Sequence, residues 1–539
     1  MNTLSRILYL PLLTTLCVCA LISGPPSRAA SHAAGIAFNV EGKSIAELAE
    51  AQAQEHVTAL QLVDAYLARI AKLDRSGPNL HSVLAINPLA RAQARALDRE
   101  RSAGHVRGPL HGIPLLIKDN IETADPLPTT AGSLALSANR GNRDAPLVAR
   151  LRAAGAIVLG KANLSEWANM RSSVAVSGWS AVGGQTRNPY ALDRNASGSS
   201  SGSAAAVAAS LVAAAIGTET DGSITWPSSM NGLVGIKPTV GLVSRTYVVP
   251  LAHSQDSPGP IAHTVADAAL LLGIMAGADP LDRATAEADT HKLELVSVPV
   301  ASLSGVRLGV MRVKGALPAA KLLFEAALKR FASAGATLID VEPPADADQL
   351  DDLEKTVLAT EFKVDVGSYL NSTPAAVRVR TLGDLIAFNR EHAAEEMPYF
   401  EQDQFEFAEA TSGLQDPGYV KALQESHRIA GSDGLAKILS TQQLQALIAP
   451  TLGPAYPIDA INGDAVNGAG PGNLPAIAGY PHLTLPLGLV KGLPIGISVI
   501  GPAWADATVL GLGAAFEKLL GQVPGPKYIR DSLSPHARH

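Results

Sequence analysis

The chain has 539 residues, 47% hydrophobic and 17% charged, so it can bury a large core and is not intrinsically disordered. Its net charge is −6 and it has no long basic run, which argues against binding to nucleic acid or to an anionic membrane surface. Its two cysteines, Cys17 and Cys19, lie in an N-terminal apolar segment. If that segment is removed, no cysteine remains for a disulfide, a thiolate nucleophile or a metal site.

That N-terminal segment has the pattern of a secretory signal peptide. Arg6 supplies the positive charge, residues 7–22 are apolar, and small residues follow up to Ala30. We therefore predict a signal peptide over residues 1–30, with export to the periplasm or the medium of a bacterium. An uncleaved membrane anchor is the alternative, but the apolar run is shorter than the roughly 20 residues that a spanning helix needs.

Helices and short apolar strands alternate along the rest of the chain. Ser44 and Glu47 match a capping box that opens a helix. The run L-H-G-I-P-L-L-I-K-D-N, residues 110–120, predicts a buried strand that leads into a polar loop. The alternation predicts an α/β fold with a covered sheet. Further helices are predicted over 88–103 and 145–153, and further strands over 156–159, 232–240, 306–311, 446–449, 483–485 and 495–500.

Residues 345–430 differ from the rest, because they are rich in acidic residues and show few strand signals. We interpret this region as a solvated helical cap, and a lid over a ligand site is the alternative. There is no internal repeat and no long linker. We therefore predict a single domain over residues 31–525, followed by a polar tail over 526–539 that is frayed.

Two serine-bearing turns that contain glycine flank an alanine-rich run within residues 197–227. The first, G-S-S-S-G at 198–202, matches the G-x-S-x-G nucleophile elbow with Ser200 as the nucleophile. An elbow must follow a buried strand, however, and the residues before this turn are typical of a loop. A flexible linker is also disfavoured, since residues 204–211 are strong helix formers. The turn therefore opens a helix, where backbone N–H groups can hold an oxygen.

The second turn is T-D-G-S. The amides of Thr220, Asp221, Gly222 and Ser223 can point at one spot, as an oxyanion hole requires, although D-G-S alone is an ordinary turn. Trp226 follows this turn, and it either lines a pocket for the acyl group of a substrate or belongs to the hydrophobic core.

A serine nucleophile needs a base, and no histidine of the central region lies in a recognisable triad pattern. Lys118 is the candidate base, because it ends an apolar run and burial lowers the pKa of a lysine. A lysine that extends its amine to solvent from a strand end is the alternative. Gly155–Lys161 also matches a phosphate-binding loop, but its interior A-I-V-L is typical of a buried strand and Ala162 replaces the Ser or Thr of that motif.

Four motifs taken together resemble the amidase signature family. They are H-G-I-P-L-L-I-K-D-N, S-G-S-S-S-G-S-A, T-E-T-D-G-S-I and N-G-L-V-G-I-K-P-T-V-G-L-V-S, and the match extends over residues 40–520. The segments G-W-S-A-V-G-G-Q-T-R-N-P-Y and I-G-T-E-T-D-G-S-I most resemble bacterial peptide amidases within that family.

The resemblance implies a large mixed, mostly buried β-sheet covered by helices on both faces. It implies a Ser-Ser-Lys triad with Lys118 as base, Ser199 as the bridging serine and Ser223 as the acylated nucleophile. The segment from Ser173 to Trp179 would line the cleft. No cofactor or metal is implied, and the substrate would be a small-molecule or peptide amide, most typically a C-terminal peptide amide that releases ammonia.

The chain departs from the family pattern at both turns. Many members carry G-G-S-S-G-G at the first and G-G-S-I-R at the second, where this chain has Thr225 in place of the arginine. These departures therefore bear on the substrate specificity that the resemblance implies more than on the implied catalytic residues. The alternatives are a broad aliphatic or aryl amidase, a non-catalytic periplasmic protein that binds peptides or amides, and one component of an amidotransferase that works on charged transfer RNA. No nucleic-acid partner and no stable membrane partner after signal cleavage are expected.

Overall fold

The computed structural model describes residues 38–292, 300, 302–312, 315–468 and 470–532. The predicted signal peptide lies outside these residues, so the signal peptide and export stay predictions. Within the described part of the chain, no helix is long and apolar enough to cross a membrane.

The β-strands are short, as the sequence indicates. Their bounds are β1 (Val83–Ile86), β2 (Pro114–Lys118), β3 (Ile157–Ala162), β4 (Trp179–Ser180), β5 (Gly184–Gln185), β6 (Ala214–Glu219), β7 (Val234–Lys237), β8 (Ser257–Ala262), β9 (Arg307–Met311), β10 (Thr337–Val341), β11 (Ala446–Pro450), β12 (His482–Val490) and β13 (Leu493–Ile500).

The α-helices connect these strands and also form a separate helical region. Their bounds are α1 (Ile45–Ala53), α2 (Ala59–Arg69), α3 (Ala90–Ser102), α4 (Pro146–Ala153), α5 (Ser201–Ala208), α6 (Thr225–Met230), α7 (Val265–Met275), α8 (Ala288–Lys292), α9 (Pro318–Ser333), α10 (Leu350–Asn371), α11 (Leu382–Glu391), α12 (Ala393–Glu396), α13 (Asp403–Glu409), α14 (Pro417–His427), α15 (Ala436–Thr441), α16 (Asn473–Ile477) and α17 (Asp506–Leu520).

Eleven of the described strands form one mixed sheet in the order β1-β3-β2-β6-β8-β7-β12-β13-β11-β9-β10. Strand β2 is parallel to β3 and β6, and β9 is parallel to β10 and β11, whereas the other neighbours are antiparallel. Because β2 and β6 are adjacent and parallel, their carboxyl ends lie side by side. Lys118 ends one of them and the second serine turn follows the other.

Helices cover both faces of this sheet, as the family resemblance implies. Neighbouring residues of a strand point to opposite faces. On β12, Leu483 contacts Gly513 of α17, whereas Thr484 lies on the face of α6, next to Gly496 and Ser229. The central strands therefore form a buried middle layer, and they are apolar because neither of their faces meets water, whereas the edge strand β10 is partly exposed.

Glycines in the central strands let the serine-bearing segments approach the sheet closely. A Cβ added to Gly217 of β6 would lie 2.7 Å from Ser200 Oγ, and one added to Gly235 of β7 would lie 2.2 Å from Ser228 Oγ of α6. Both distances are shorter than a van der Waals contact. The close packing of α5 and α6 on the sheet therefore depends on glycine at these positions.

The acid-rich region is helical, as predicted, and contains α10 to α14. Its apolar side chains, including Phe362 and Phe405, pack against Leu136, Trp167 and Leu251 of the rest of the chain. The tail, by contrast, is not wholly frayed. Leu192 N donates to Ile529 O at 2.7 Å, and Ser532 Oγ donates to Asp193 Oδ2 at 2.7 Å, so its described part, residues 526–532, is held against the protein.

We expect Gly235→Ala to destabilise the protein by about 1–3 kcal/mol, because overpacking at this contact forces Ser228 and α6 to move. The apparent melting temperature of the purified protein measures the effect. Gly367→Ala is the matched control: a Cβ there would meet nothing within 4 Å, and Gly367 lies inside α10. Alanine is about 0.5–1 kcal/mol more favourable than glycine in a helix interior, so this variant should melt higher. A melting temperature that Gly235→Ala leaves unchanged would contradict the packing argument.

Candidate active site

Lys118 is fully buried at the end of β2, with 0% of its surface exposed. Its Nζ lies 2.7 Å from Ser199 Oγ, 2.8 Å from Thr218 Oγ1 and 3.2 Å from Thr218 O. Asn120 Nδ2 donates to the same Thr218 Oγ1 at 3.0 Å. The amine therefore does not extend to solvent, and it meets only side chains and backbone of the site.

Burial lowers the pKa of Lys118 to about 7, although the nearby carboxylates of Asp256 and Glu219 partly oppose this shift. A lysine in water has a pKa of about 10.4 and is almost entirely protonated at neutral pH. In this site a large fraction of the amine is neutral near pH 7, and a neutral amine can accept a proton.

In the first serine turn, the side chains of Ser199 and Ser200 face different neighbours. The peptide bond between Gly198 and Ser199 is cis, and Ser199 O accepts a hydrogen bond from Ser165 N at 3.0 Å. Ser199 Oγ faces Lys118, whereas Ser200 Oγ donates to Thr218 O at 3.1 Å and faces Gly217. Ser200 is thus buried behind the site, and the elbow interpretation of this turn is wrong.

Ser223 lies in the turn that follows β6 and lines a pocket of about 390 Å³. Its Oγ is 3.5 Å from Asp221 O, the outer limit of a hydrogen bond, so the hydroxyl is free to reorient. Gly222 adopts a positive φ of 70° in this turn. Ser200 N donates to Ser223 O at 3.1 Å, which ties the two serine turns together directly.

Two carboxylates that sequence reasoning missed hold the second turn in place. Glu219 Oε2 accepts hydrogen bonds from Ile224 N at 2.7 Å and Thr225 N at 2.9 Å, where α6 begins. Asp256 Oδ1 accepts one from Thr220 Oγ1 at 2.5 Å. Glu219 lies inside the motif T-E-T-D-G-S, so the sequence could have indicated its role. No local sequence motif indicates the role of Asp256.

The pocket beside Ser223 is bounded by the second serine turn on one side and by the helical region on the other. Its apolar lining comes from Met170, Leu251 and Leu358, and its polar lining includes Asp221 and Glu354. The acid-rich region therefore faces the pocket through α10. This is the position that the lid alternative requires, and that alternative stays a prediction.

Trp226 and Ser173 are not among the residues that line this pocket. Trp226 packs over the turn, because a Cβ at Gly222 would lie 2.7 Å from its ring, and it also joins a cluster with Met230 and Tyr456. Ser173 is exposed, and its N donates to Asp403 Oδ1 at 3.1 Å. Substrate contacts by these two residues stay predictions.

The apparent phosphate-binding loop is a buried strand, as its interior residues predict. Lys161 lies in β3, and its Nζ donates to Ile121 O at 2.5 Å and to Thr129 Oγ1 at 2.7 Å. Lys161 Nζ is also 3.7 Å from Asp119 Oδ1. These contacts hold the loop that follows Lys118.

Comparison with known proteins identifies the family. Residues 61–510 match the family model Amidase. The chain belongs to the amidase signature family. It is 39% identical to a probable amidase of Arabidopsis thaliana over 503 residues, which covers 91% of this chain and 93% of the relative. It superposes on the native peptide amidase of Stenotrophomonas maltophilia with a TM-score of 0.85 and 44% identity, covering 90% of this chain and 98% of that one.

The protein is therefore an amidase, a hydrolase of small-molecule or peptide amides. Membership of this enzyme family disfavours the hypothesis of a non-catalytic binding protein. The chain is also 34% identical to a component of the glutamyl-tRNA(Gln) amidotransferase of Salinispora tropica, over 90% of this chain and 98% of the relative. Family membership alone thus does not select the amide substrate.

We expect Glu219→Ala to lower kcat for amide hydrolysis by roughly tenfold or more, because it leaves two buried N–H groups unpaired and releases the turn that holds Ser223. Glu219→Gln keeps an acceptor oxygen at the same place, so its kcat should lie between those of Glu219→Ala and the wild type. Steady-state kinetics on one amide measures both variants. Equal kcat values for the wild type and Glu219→Ala would contradict the positioning role.

Proposed function

We propose that this amidase hydrolyses C-terminal amides of peptides through an acyl-enzyme on Ser223, with Ser199 as proton relay and Lys118 as base, and releases ammonia. The environment of the Lys118 amine carries the proposal. Similarity to the peptide amidase of Stenotrophomonas maltophilia supports the substrate class.

A neutral lysine amine has two N–H bonds and one lone pair. Thr218 offers two acceptors, its carbonyl oxygen and its Oγ1, and Asn120 already donates to Oγ1. If both N–H bonds point to Thr218, the lone pair is left for the third neighbour, Ser199 Oγ at 2.7 Å. The surroundings of Lys118 thus favour a hydrogen bond in which Ser199 donates and the lysine accepts, as a base requires.

The reaction then proceeds in two halves. Ser223 Oγ attacks the amide carbonyl carbon while its proton passes to Ser199, whose own proton passes to Lys118. As the tetrahedral intermediate collapses, the C–N bond breaks and the same relay returns a proton to the leaving nitrogen, which departs as ammonia. A water molecule then attacks the ester on Ser223 while its proton passes through Ser199 to Lys118. As the ester C–O bond breaks, the relay returns a proton to Ser223 Oγ and the free acid leaves.

The turn of residues 220–223 supplies the oxyanion hole in this proposal. Each backbone N–H donor to a developing oxyanion is worth about 3 kcal/mol in hydrolases of this type. Thr220 and Glu219 hold the turn on both sides through their hydrogen bonds. The donors are thereby oriented before substrate binds.

The triad predicts a graded loss of activity. Ser223→Ala should abolish hydrolysis and labelling by a fluorophosphonate, and it should leave the fold intact because it removes one hydroxyl. Ser199→Ala and Lys118→Ala should each lower kcat by roughly a thousandfold or more, since each removes one member of a unit that acts together. Full activity in Ser223→Ala would reject the nucleophile, and normal turnover in Lys118→Ala would reject the base.

Ammonia release from a panel of amides tests the substrate class. We expect peptide amides to be cleaved with a higher kcat/KM than aliphatic amides, aryl amides and glutamine. A preference for simple aliphatic or aryl amides would replace the peptide-amide proposal with a broad-specificity amidase. Activity on glutamine that requires a partner protein would indicate an amidotransferase.

The lowered pKa of Lys118 sets the pH dependence. The neutral amine is the active form, so kcat/KM for a substrate without ionisable groups should rise with pH and level off above the pKa of about 7. The slope below that value should be about one logarithmic unit per pH unit. Lys118→Arg should be inactive over the whole range, because arginine stays protonated in proteins. A profile that is flat from about pH 5 to pH 9 would show that no group of this pKa acts as base.

A further inference from the structure

The pocket beside Ser223 has more acidic side chains than hydrolysis of an amide bond requires. Three of its lining residues are acidic: Asp221 in the oxyanion turn, and Asp351 and Glu354 on α10. Lys355 is the basic residue that lines the same pocket. Its Nζ lies 4.9 Å from the ring centroid of Phe407, and within the described residues no ion pair joins it to the three carboxylates.

Two of these acids keep an unpaired oxygen. Glu354 is 7% exposed, and Gln255 Nε2 donates to its Oε1 at 2.7 Å, while no described donor reaches Oε2. Asp221 Oδ1 is shielded from solvent and also lacks a hydrogen-bond partner among the described residues. A buried acceptor without a partner costs about 1–3 kcal/mol, so Asp221 Oδ1 favours a ligand that supplies donors, and Glu354 Oε2 can accept a further hydrogen bond.

The carboxyl groups also destabilise each other electrostatically. Burial, together with the charges of Glu354 and Glu219, raises the pKa of Asp221 well above its usual range. Burial and the charge of Asp351 raise the pKa of Glu354 to about 7. Two like charges brought together in a partly dry pocket repel, and a cation placed between them relieves that repulsion.

We propose that Asp221 and Glu354, with Asp351, form a subsite that binds a cationic group on the acyl part of the substrate. The inference rests on the proposed amide hydrolysis at Ser223 and adds a substrate class to it, namely amides that carry an ammonium or guanidinium group. Such a group supplies several N–H donors and a positive charge, which are the two things that these carboxylates lack.

The position of the subsite places this cation near the scissile carbonyl. Asp221 is two residues before Ser223 in the same turn, so a group bound by it belongs to the residue that carries the amide or to the one before it. The cation is then either a free α-amine or the end of a basic side chain. Both groups present a positive charge and N–H donors to the pocket, and matched substrates can distinguish between them.

Matched amides test the inference by steady-state kinetics. N-acetyl-lysinamide against N-acetyl-norleucinamide isolates the side-chain charge, and norleucinamide against N-acetyl-norleucinamide isolates the α-amine. We expect at least one pair to show a kcat/KM roughly tenfold or more higher for the cationic member, mainly through KM. Ratios near one in both pairs would overturn the inference and leave the amidase proposal standing.

Variants of α10 link the preference to these carboxylates. Glu354→Gln keeps the shape and an acceptor for Gln255, and Asp351→Asn changes an exposed residue, so neither should prevent folding. Both should reduce the ratio of cationic to neutral kcat/KM. Asp352→Asn is the matched control, because Asp352 is exposed on the same helix and does not line the pocket, and it should keep the wild-type ratio. If Glu354→Gln keeps the wild-type ratio of cationic to neutral kcat/KM, the assignment of Glu354 to the subsite is overturned.

Binding to the inactive Ser223→Ala variant separates the subsite from catalysis. Calorimetry with the same matched amides should show tighter binding of the cationic member, and Glu354→Gln added to that variant should remove the difference. Equal affinities would overturn the subsite. If the wild type cleaves none of the amides but Ser223→Ala still prefers the cation, the proposed reaction fails while the binding site stands.

Discussion

The complete burial of one amine is the constraint on which the site depends. An amine removed from water must find hydrogen-bond partners inside the protein, and Lys118 finds them on two different segments, at Thr218 and Ser199. Those contacts require β2, β6 and the turn before α5 to meet at one point. The same burial lowers the pKa of the amine, so one structural feature both fastens the segments together and makes the lysine suitable as a base.

Close approach to the sheet is the second requirement of this arrangement. The serine-bearing segments lie directly on the central strands because glycine at positions such as 217 and 235 leaves room for Ser200 and Ser228. Glu219 then fixes the start of α6, and Ser200 N binds Ser223 O. The second serine turn is thus held by backbone contacts and buried carboxylates, while the hydroxyl of Ser223 is left free to reorient.

The helical region completes the pocket from the opposite side. The segment 251–256 connects the two parts: His253 Nδ1 lies 2.8 Å from Asp365 Oδ2, Ser254 N donates to Glu361 Oε2 at 2.9 Å, and Gln255 Nε2 donates to Glu354. All three carboxylates belong to α10. In this segment Leu251 lines the pocket and Asp256 accepts a hydrogen bond from Thr220 of the second serine turn. One segment therefore connects the helical region to both the pocket and that turn.

Local sequence predicted the class of fold, most element types and Lys118 as a candidate base, whereas the family resemblance supplied the roles of Ser199 and Ser223. The capping box at Ser44, the helical cap and the apolar strands follow from periodicity and side-chain chemistry, which act over a few residues. Strand β8 was not predicted, because Pro258 and Pro260 lack N–H groups and are unusual inside a strand. The structure accommodates both prolines because β8 pairs with β7 only through Ile261 and Ala262. The tertiary structure decided the order of strands in the sheet, the contacts of Asp256 and Glu354, and the inward position of Ser200. They depend on contacts between residues far apart in the chain, and burial, which sets both the pKa of Lys118 and the charge of the pocket, exists only once those residues are packed together.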